Sequence, residues 1–336
     1  MNSWFSKGVW LAKSARQKIS ELSYTDIKSI AVIRHGALGD MILTRPFLLE
    51  ARRIFPNAKI TISTVSNYTR GTPTDLVDRV HVIHGSDQRN TPLGVRIKRF
   101  KELGYHDIIF DLASSNRSVM TVFFNKAKLK IGFPYRALQA KLFYDIATCR
   151  SDLNFEVNDM MNMLHVFGVK TRYPHEYQMP GTAVTRSRPY IIYFAGASTP
   201  DKCWPGDHFA ALIQDLANLY PKHEHLILEG LQTWEKADAI LASVKNPGNT
   251  RAISANTIDD TTALLKGADL VVSNDTGIRH IAIGCGTPTV GIFPGAPYRY
   301  WPRYPIHEAV LSDPVWPPSV DSVKAACIKL LSAKPA

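Results

Sequence analysis

Two successive series of short apolar runs, each run followed by a stretch with helical spacing, constrain this chain more than any other feature. The first series comprises residues 29–34, 59–65, 80–83 and 107–111, with a helical stretch over 41–55 behind the first run. After a Pro- and Arg-rich stretch at 174–189 the pattern restarts. Residues 189–194, 225–228, 270–273 and 289–293 read as strands, and 208–220, 233–244, 261–267 and 278–284 as helices. A run that is apolar at every position suits a strand buried on both faces, and alternation with helices places such strands in a parallel sheet. The expected fold class is therefore α/β, with two doubly wound domains. The expected boundaries are an extension at 1–27, a first domain at 28–180, a second at 181–320 and a closing helix at 321–336. In such sheets ligands bind beyond the C-terminal ends of the strands.

Bulk properties agree with a folded chain of this size. The 336 residues are 45% hydrophobic and 21% charged, enough for two globular domains. A net charge of +11 favours anionic partners such as phosphorylated small molecules, acidic lipid surfaces or nucleic acid. Cys149, Cys203, Cys285 and Cys327 have neither CxxC nor zinc-ligand spacing, which fits a reducing compartment. His223 and His225 stand two apart near a strand, but no third metal ligand accompanies them. No apolar run reaches the ~20 residues of a membrane span. Residues 1–23 read as a basic amphipathic helix, with Trp4, Leu11, Ala15, Ile19 and Leu22 on one face; it suits either an anionic membrane surface or the protein's own surface.

Three loops carry candidate chemistry. The first, Arg34-His-Gly-Ala-Leu-Gly-Asp40, follows the first strand. Its glycines allow a tight turn and close approach, and Asp40 falls at a helix start, where it serves as a helix cap or as a catalytic carboxylate. The second, from Ala195 to Pro205, follows the first strand of the second half. Hydroxyls of Ser198 and Thr199 with the charge of Lys202 suit a phosphate group, although no Walker loop is present. The third runs from Ser273 through Asn274, Asp275, Thr276 and Gly277 to His280. A strand, a tight turn and a helix start aim free N–H groups and the positive helix end at one point, which suits a diphosphate. Asp-Thr-Gly also marks aspartic proteases, but there it lies in an all-β domain with a partner carboxylate, and no second copy exists here.

Together these loops, in this order and spacing, resemble the heptosyltransferase family, the ADP-heptose transferases of lipopolysaccharide core assembly. The resemblance covers residues 30–293. It is carried by Arg34, Leu38-Gly-Asp40, Pro46, Phe55-Pro-Asn-Ala, Asp111-Leu, Arg117-Ser and Lys130-Ile-Gly-Phe133 in the first half. In the second half it is carried by Gly196-Ala-Ser, Lys202, Trp204-Pro, Ser273-Asn-Asp-Thr-Gly277, His280 and Gly286-Thr-Pro-Thr. The resemblance implies a GT-B fold of two Rossmann-like domains facing a central cleft, acceptor on the first and nucleotide sugar on the second. It further implies an inverting transfer without metal or other cofactor, at the cytoplasmic face of the inner membrane, onto an anionic glycolipid. Asp40 is then the general base; Ser198, Thr199, Lys202, Asp275, Thr276, Gly277 and His280 hold the donor; Glu235, or else Glu229, holds the ribose; Arg34 and Arg117 meet the acceptor.

The chain departs from the family at two places. Residues 154–159 contain no histidine, and Phe293 is followed by Pro-Gly-Ala-Pro-Tyr-Arg-Tyr-Trp rather than Gly-Pro-Thr. The alternatives are a related transferase using another nucleotide sugar, a hexose or N-acetylhexosamine, and a non-catalytic binding or membrane-scaffold protein that keeps the fold. Nucleic-acid binding lacks any recognised module.

Overall fold

The computed structural model describes residues 9–133, 137–245, 248–295, 297–312 and 317–333. The chain forms two compact units. The first runs to Tyr177 and takes in Tyr298–Tyr300; the second holds Gln178–Pro297 and Trp301–Ala336.

In the first unit the order is β1 (Trp10–Leu11), α1 (Ala15–Ser20), β2 (Ser29–Ile33), α2 (Leu38–Ile54), β3 (Lys59–Val65), β4 (Arg79–Ile83), α3 (Leu93–Lys101), β5 (His106–Asp111), α4 (Asn116–Phe124), β6 (Ala127–Gly132), α5 (Ala137–Phe143), β7 (Ile146–Ala147) and α6 (Glu156–His165). The sheet order is β1-β7-β6-β5-β2-β3-β4, parallel throughout except for the β1–β7 pair. The chain winds outward from β2 to β4, then returns to build β5, β6 and β7 on the other side. The direction of winding reverses between β2 and β5, so the loops after these strands diverge and leave a crevice at their C-terminal ends. Ile30, Ala31, Val32 and Ile33 have no exposed surface, as a central strand covered by helices requires. Ala31, Ile33, Ile109, Val119, Val122 and Tyr144 form one core layer.

The second unit repeats the scheme with β8 (Tyr190–Phe194), α7 (Gly206–Leu219), β9 (Glu224–Glu229), α8 (Asp238–Ser243), β10 (Thr250–Ser254), α9 (Ile258–Lys266), β11 (Leu270–Asn274), α10 (Gly277–Gly284), β12 (Thr289–Phe293), β13 (His307–Leu311) and α11 (Val320–Ser332). Its sheet order, β10-β9-β8-β11-β12-β13, is wholly parallel. Here the reversal lies between β8 and β11. Its core packs Ile191, Tyr193, Trp204, Phe209, Ile213, Val272, Val290 and Val323 together. Each such side chain, fully buried, contributes about 1.5–3 kcal/mol of transfer free energy.

The structure corrects two expectations. The N-terminal segment is not one helix. Residues 1–8 lie outside the described residues, Trp10–Leu11 pair with Ile146 and Ala147 as an edge strand, and the helix is confined to Ala15–Ser20. The reason is local pairing: Ala12 N–H donates to Asp145 O, and Lys18 bonds the Asp145 carboxylate at 2.7 Å. The expected helix at 233–244 is likewise broken. Thr233–Glu235 is a single 3-10 turn, Lys236 is extended, and only Asp238–Ser243 is α-helical. Glu229 holds the break by accepting from Ala237 N–H. Among the described residues no helix is long and apolar enough to cross a membrane.

Candidate active site

In the first unit, β2 delivers Arg34 to the crevice and α2 delivers Asp40. The Arg34 side chain is buried, and both of its terminal nitrogens are engaged. Nη1 donates to Leu112 O at 2.6 Å and to Glu156 Oε1 at 3.0 Å, while Nη2 donates to Asp40 Oδ1 at 2.7 Å. The other Asp40 oxygen accepts from Ala37 N–H at 3.0 Å, so this carboxylate also caps the helix. Its side chain keeps 32% of its surface exposed, which leaves it accessible to a ligand. Gly36 makes the arrangement feasible: a Cβ there would lie 2.5 Å from Asp40 Cβ and 2.6 Å from Oδ2.

Behind this pair sits Glu156, with no exposed side-chain surface. It accepts from Arg150 Nη2 at 2.5 Å and from Arg299 Nη2 at 2.7 Å as well as from Arg34. Burial pushes the Glu156 carboxyl up, but Arg150, Arg34 and Arg299 outweigh it and hold the group far below the usual carboxylate range. Burial likewise pulls the Arg34 guanidinium down, and Asp40 and Glu156 more than restore it. Tyr300, beside the same charges, is raised by burial, with Arg299 opposing and Asp40 adding to the rise.

The β5 side of the crevice is fixed by Asp111, whose Oδ1 accepts from Ala113 and Ser114 N–H and whose Oδ2 accepts from Tyr144 OH at 2.7 Å. Burial raises the Asp111 carboxyl despite these bonds. Arg117, in the first turn of α4, is half-buried and reaches the field of His35. Burial, then His81 and Arg117, push the His35 imidazole down to about 3, so it is neutral at physiological pH.

In the second unit Asn274 joins two of the sequence-derived loops. Its Nδ2 donates to Ala195 O at 2.7 Å and Gly196 O at 3.1 Å, and its Oδ1 accepts from Trp204 N–H at 3.0 Å. Trp204 is buried and anchors the far end through Nε1 to Pro318 O. Ser198, Thr199 and Lys202 lie on the exposed arc between these anchors. The turn carrying Glu235 joins them: Trp234 Nε1 donates to Ala197 O at 3.3 Å, and a Cβ on Gly196 would lie 2.6 Å from Glu235 Cγ. Glu235 also accepts from Gln232 N–H. Glu229, the other ribose candidate, is turned to Ala237 N–H and Ser254.

The Asp275–Gly277 turn ends β11. Thr276 is the N-cap of α10, yet its side chain makes no capping bond, and Ser273 Oγ and Thr276 Oγ1 are buried without a hydrogen-bond partner among the described residues. Such hydroxyls are costly unless something bonds them, and a helix start left open by its cap suits an anion. Asp275 pairs with Arg279 Nη2 at 3.0 Å. That guanidinium is buried and stacks on Phe293, 4.7 Å from the ring centroid. His280 is buried beside it, Nε2 at 3.4 Å from Arg279 Nη2. Elsewhere, His225 Nδ1 bonds Tyr193 OH and His223 Nε2 bonds Asp269; among the described residues no cluster of His, Cys, Asp and Glu is arranged to hold a metal ion.

The structure therefore groups Arg34 with Asp40, and Ser198, Thr199, Lys202 and Glu235 with the Asp275–Gly277 turn. Sequence reasoning missed Glu156, Arg150, Arg299 and Arg279. One signal for Glu156 was present: with Met160 and Met163 it lies on the apolar stripe of α6 at i, i+4 and i+7, where a carboxylate needs a buried partner.

Two parallel α/β units with loop clusters at their winding reversals define the GT-B class of glycosyltransferase folds. Solved structures agree. A glycosyltransferase of family 9 from Veillonella parvula superposes with a TM-score of 0.71 at 20% identity, over 93% of this chain and 99% of that one. Escherichia coli heptosyltransferase WaaC with ADP-2-deoxy-2-fluoro heptose gives 0.72 at 19%, over 88% and 98%. Lipopolysaccharide heptosyltransferase 1 of Campylobacter coli is 21% identical over 295 residues, 80% of this chain and 85% of that protein. The model of glycosyltransferase family 9 (heptosyltransferase) matches residues 96–316. The chain belongs to this family and is a glycosyltransferase.

Proposed function

We propose that the protein transfers heptose from ADP-heptose to an anionic lipopolysaccharide inner-core acceptor, with inversion and without a metal ion. The observation that carries this reading is the Asp40 carboxylate, partly exposed at the C-terminal end of β2 and oriented by Arg34 and the Ala37 N–H. A single displacement at the anomeric carbon needs a base on the acceptor side and charge stabilisation on the leaving-group side. Asp40 takes the hydroxyl proton as the acceptor oxygen bonds to the anomeric carbon. The bond from that carbon to the diphosphate breaks, and ADP leaves with the electron pair. Lys202, Ser198, Thr199 and the open N-terminus of α10 stabilise the departing charge, Glu235 bonds the ribose, and Arg117 meets an anionic group of the acceptor.

Family membership, the name of the Campylobacter relative and the donor analogue held by WaaC support the heptose donor. A glycolipid acceptor also places the enzyme at the inner-membrane surface, reached through the basic segment 1–23, in which Lys13 and Arg16 are exposed. The departure after Phe293 favours one second reading, the same chemistry with another nucleotide sugar. Incubation with ADP-heptose and a heptose-deficient core acceptor tests the first reading: ADP release is expected, and its absence beside an active control enzyme rejects the donor. A thermal-shift panel of nucleoside diphosphates identifies the base, since the cognate one raises the Tm most.

A further inference from the structure

We propose that Glu156 is a positioning residue for Asp40, acting through Arg34 without touching substrate. This rests on Asp40 being the base. An arginine facing a carboxylate alone tends to engage both oxygens as a fork. Here Arg34 Nη1 is already committed to Leu112 O and Glu156 Oε1, so only Nη2 addresses Asp40. Each Asp40 oxygen then accepts one bond, Oδ1 from Arg34 and Oδ2 from Ala37. A carboxylate offers roughly two acceptor directions per oxygen, and one on each is left for the acceptor hydroxyl.

The charge of Glu156 is what maintains this division. Arg34 Nη1, Arg150 Nε and Nη2, and Arg299 Nε and Nη2 all donate to its two oxygens, and its own N–H donates to Arg299 O at 2.9 Å. A glutamine in the same space presents an NH2 group where a carboxylate oxygen now accepts. Facing a donor, the Arg34 guanidinium would swing onto its other carboxylate and occupy Asp40 as a fork. Arg150 shares Glu156 with Arg34, so removing it together with the Glu156 charge restores the local charge balance without altering Arg34 or Asp40.

The test uses the full chain with Glu156→Gln, Glu156→Asp and the Arg150→Met/Glu156→Gln pair, reading kcat, donor KM and Tm. Glu156→Gln is expected to lower kcat roughly 100-fold, the scale of a misplaced reacting group, with donor KM unchanged. Glu156→Asp, which keeps the charge, restores part of kcat. The double variant removes a buried cation together with the buried anion, so its Tm recovers while kcat stays low. Recovery of kcat together with Tm in the double variant overturns the proposal, since Glu156 would then only balance charge. Parental kcat in Glu156→Gln overturns it equally. Failure of the base assignment shows separately, as full turnover in Asp40→Asn.

Discussion

Arg34 holds Asp40 by one charged hydrogen bond, Nη2 to Oδ1 at 2.7 Å, across six positions and a strand-to-helix turn. The turn matters as much as the bond. It lets the carboxylate fold back over its own helix start, where the Ala37 N–H fixes the second oxygen. Orientation and exposure are thereby set together.

Gly36→Ala is expected to cost activity more than stability. The added Cβ would fall 2.5 Å from Asp40 Cβ, and the half-exposed carboxylate moves more readily than the buried strand behind it. A shift near 1 Å lowers kcat by up to about 100-fold, with ADP binding unchanged. Steady-state kinetics beside a thermal melt check this.

Lys202→Met is expected to weaken the donor rather than the chemistry of the acceptor. The ammonium stands on the exposed arc after β8, and a charge-assisted bond to a phosphate is worth roughly tenfold in affinity. Calorimetric titration with ADP should show that loss, accompanied by a flatter salt dependence.

Arg279→Met tests whether the cation beneath the donor turn neutralises Asp275. The guanidinium is buried, stacked on Phe293 and bonded to Asp275, so its removal should cost about 1–3 kcal/mol of stability and weaken ADP binding. Asp275→Asn in the same chain removes the uncompensated charge from the proposed diphosphate site. Recovery of ADP affinity in the double variant supports neutralisation, and continued loss contradicts it.

Acid should destabilise the fold through its buried imidazoles. Burial holds the His225 imidazole at about 4 and the His307 imidazole at about 3, both below the ordinary histidine value. The unfolded chain then binds more protons. Stability is complete above pH ~6.5 and falls as pH drops towards those folded-state values, by at most about 1.4 kcal/mol per pH unit for each imidazole. Urea unfolding at pH 7, 6 and 5 measures the slope, and His307→Gln should flatten it.

Much of this was legible in the chain itself. Lys59–Val65 and Thr289–Phe293 stand where their apolar runs end, because a strand buried on both faces leaves no ambiguity of period. Besides the two-residue β1 and β7, the strands missed were β10 and β13 at the sheet edges, half-exposed and rich in polar residues, and β6, whose Lys128 and Lys130 interrupt the run. The loops bearing Asp40, Lys202 and Asp275 announced themselves through glycine, charge and position after a strand. The support behind them did not. Glu156 is intelligible only with Arg34, 122 positions away, and Arg299, 143 positions away, and no local pattern encodes such a meeting.

The most direct measurement compares acceptor-dependent ADP release by the parent chain and by Asp40→Asn, with ADP affinity determined for both. Loss of the base should lower turnover by about 100- to 10,000-fold while ADP binds equally well. Turnover that survives the substitution, with ADP affinity intact, would contradict the assignment of Asp40 as the proton acceptor.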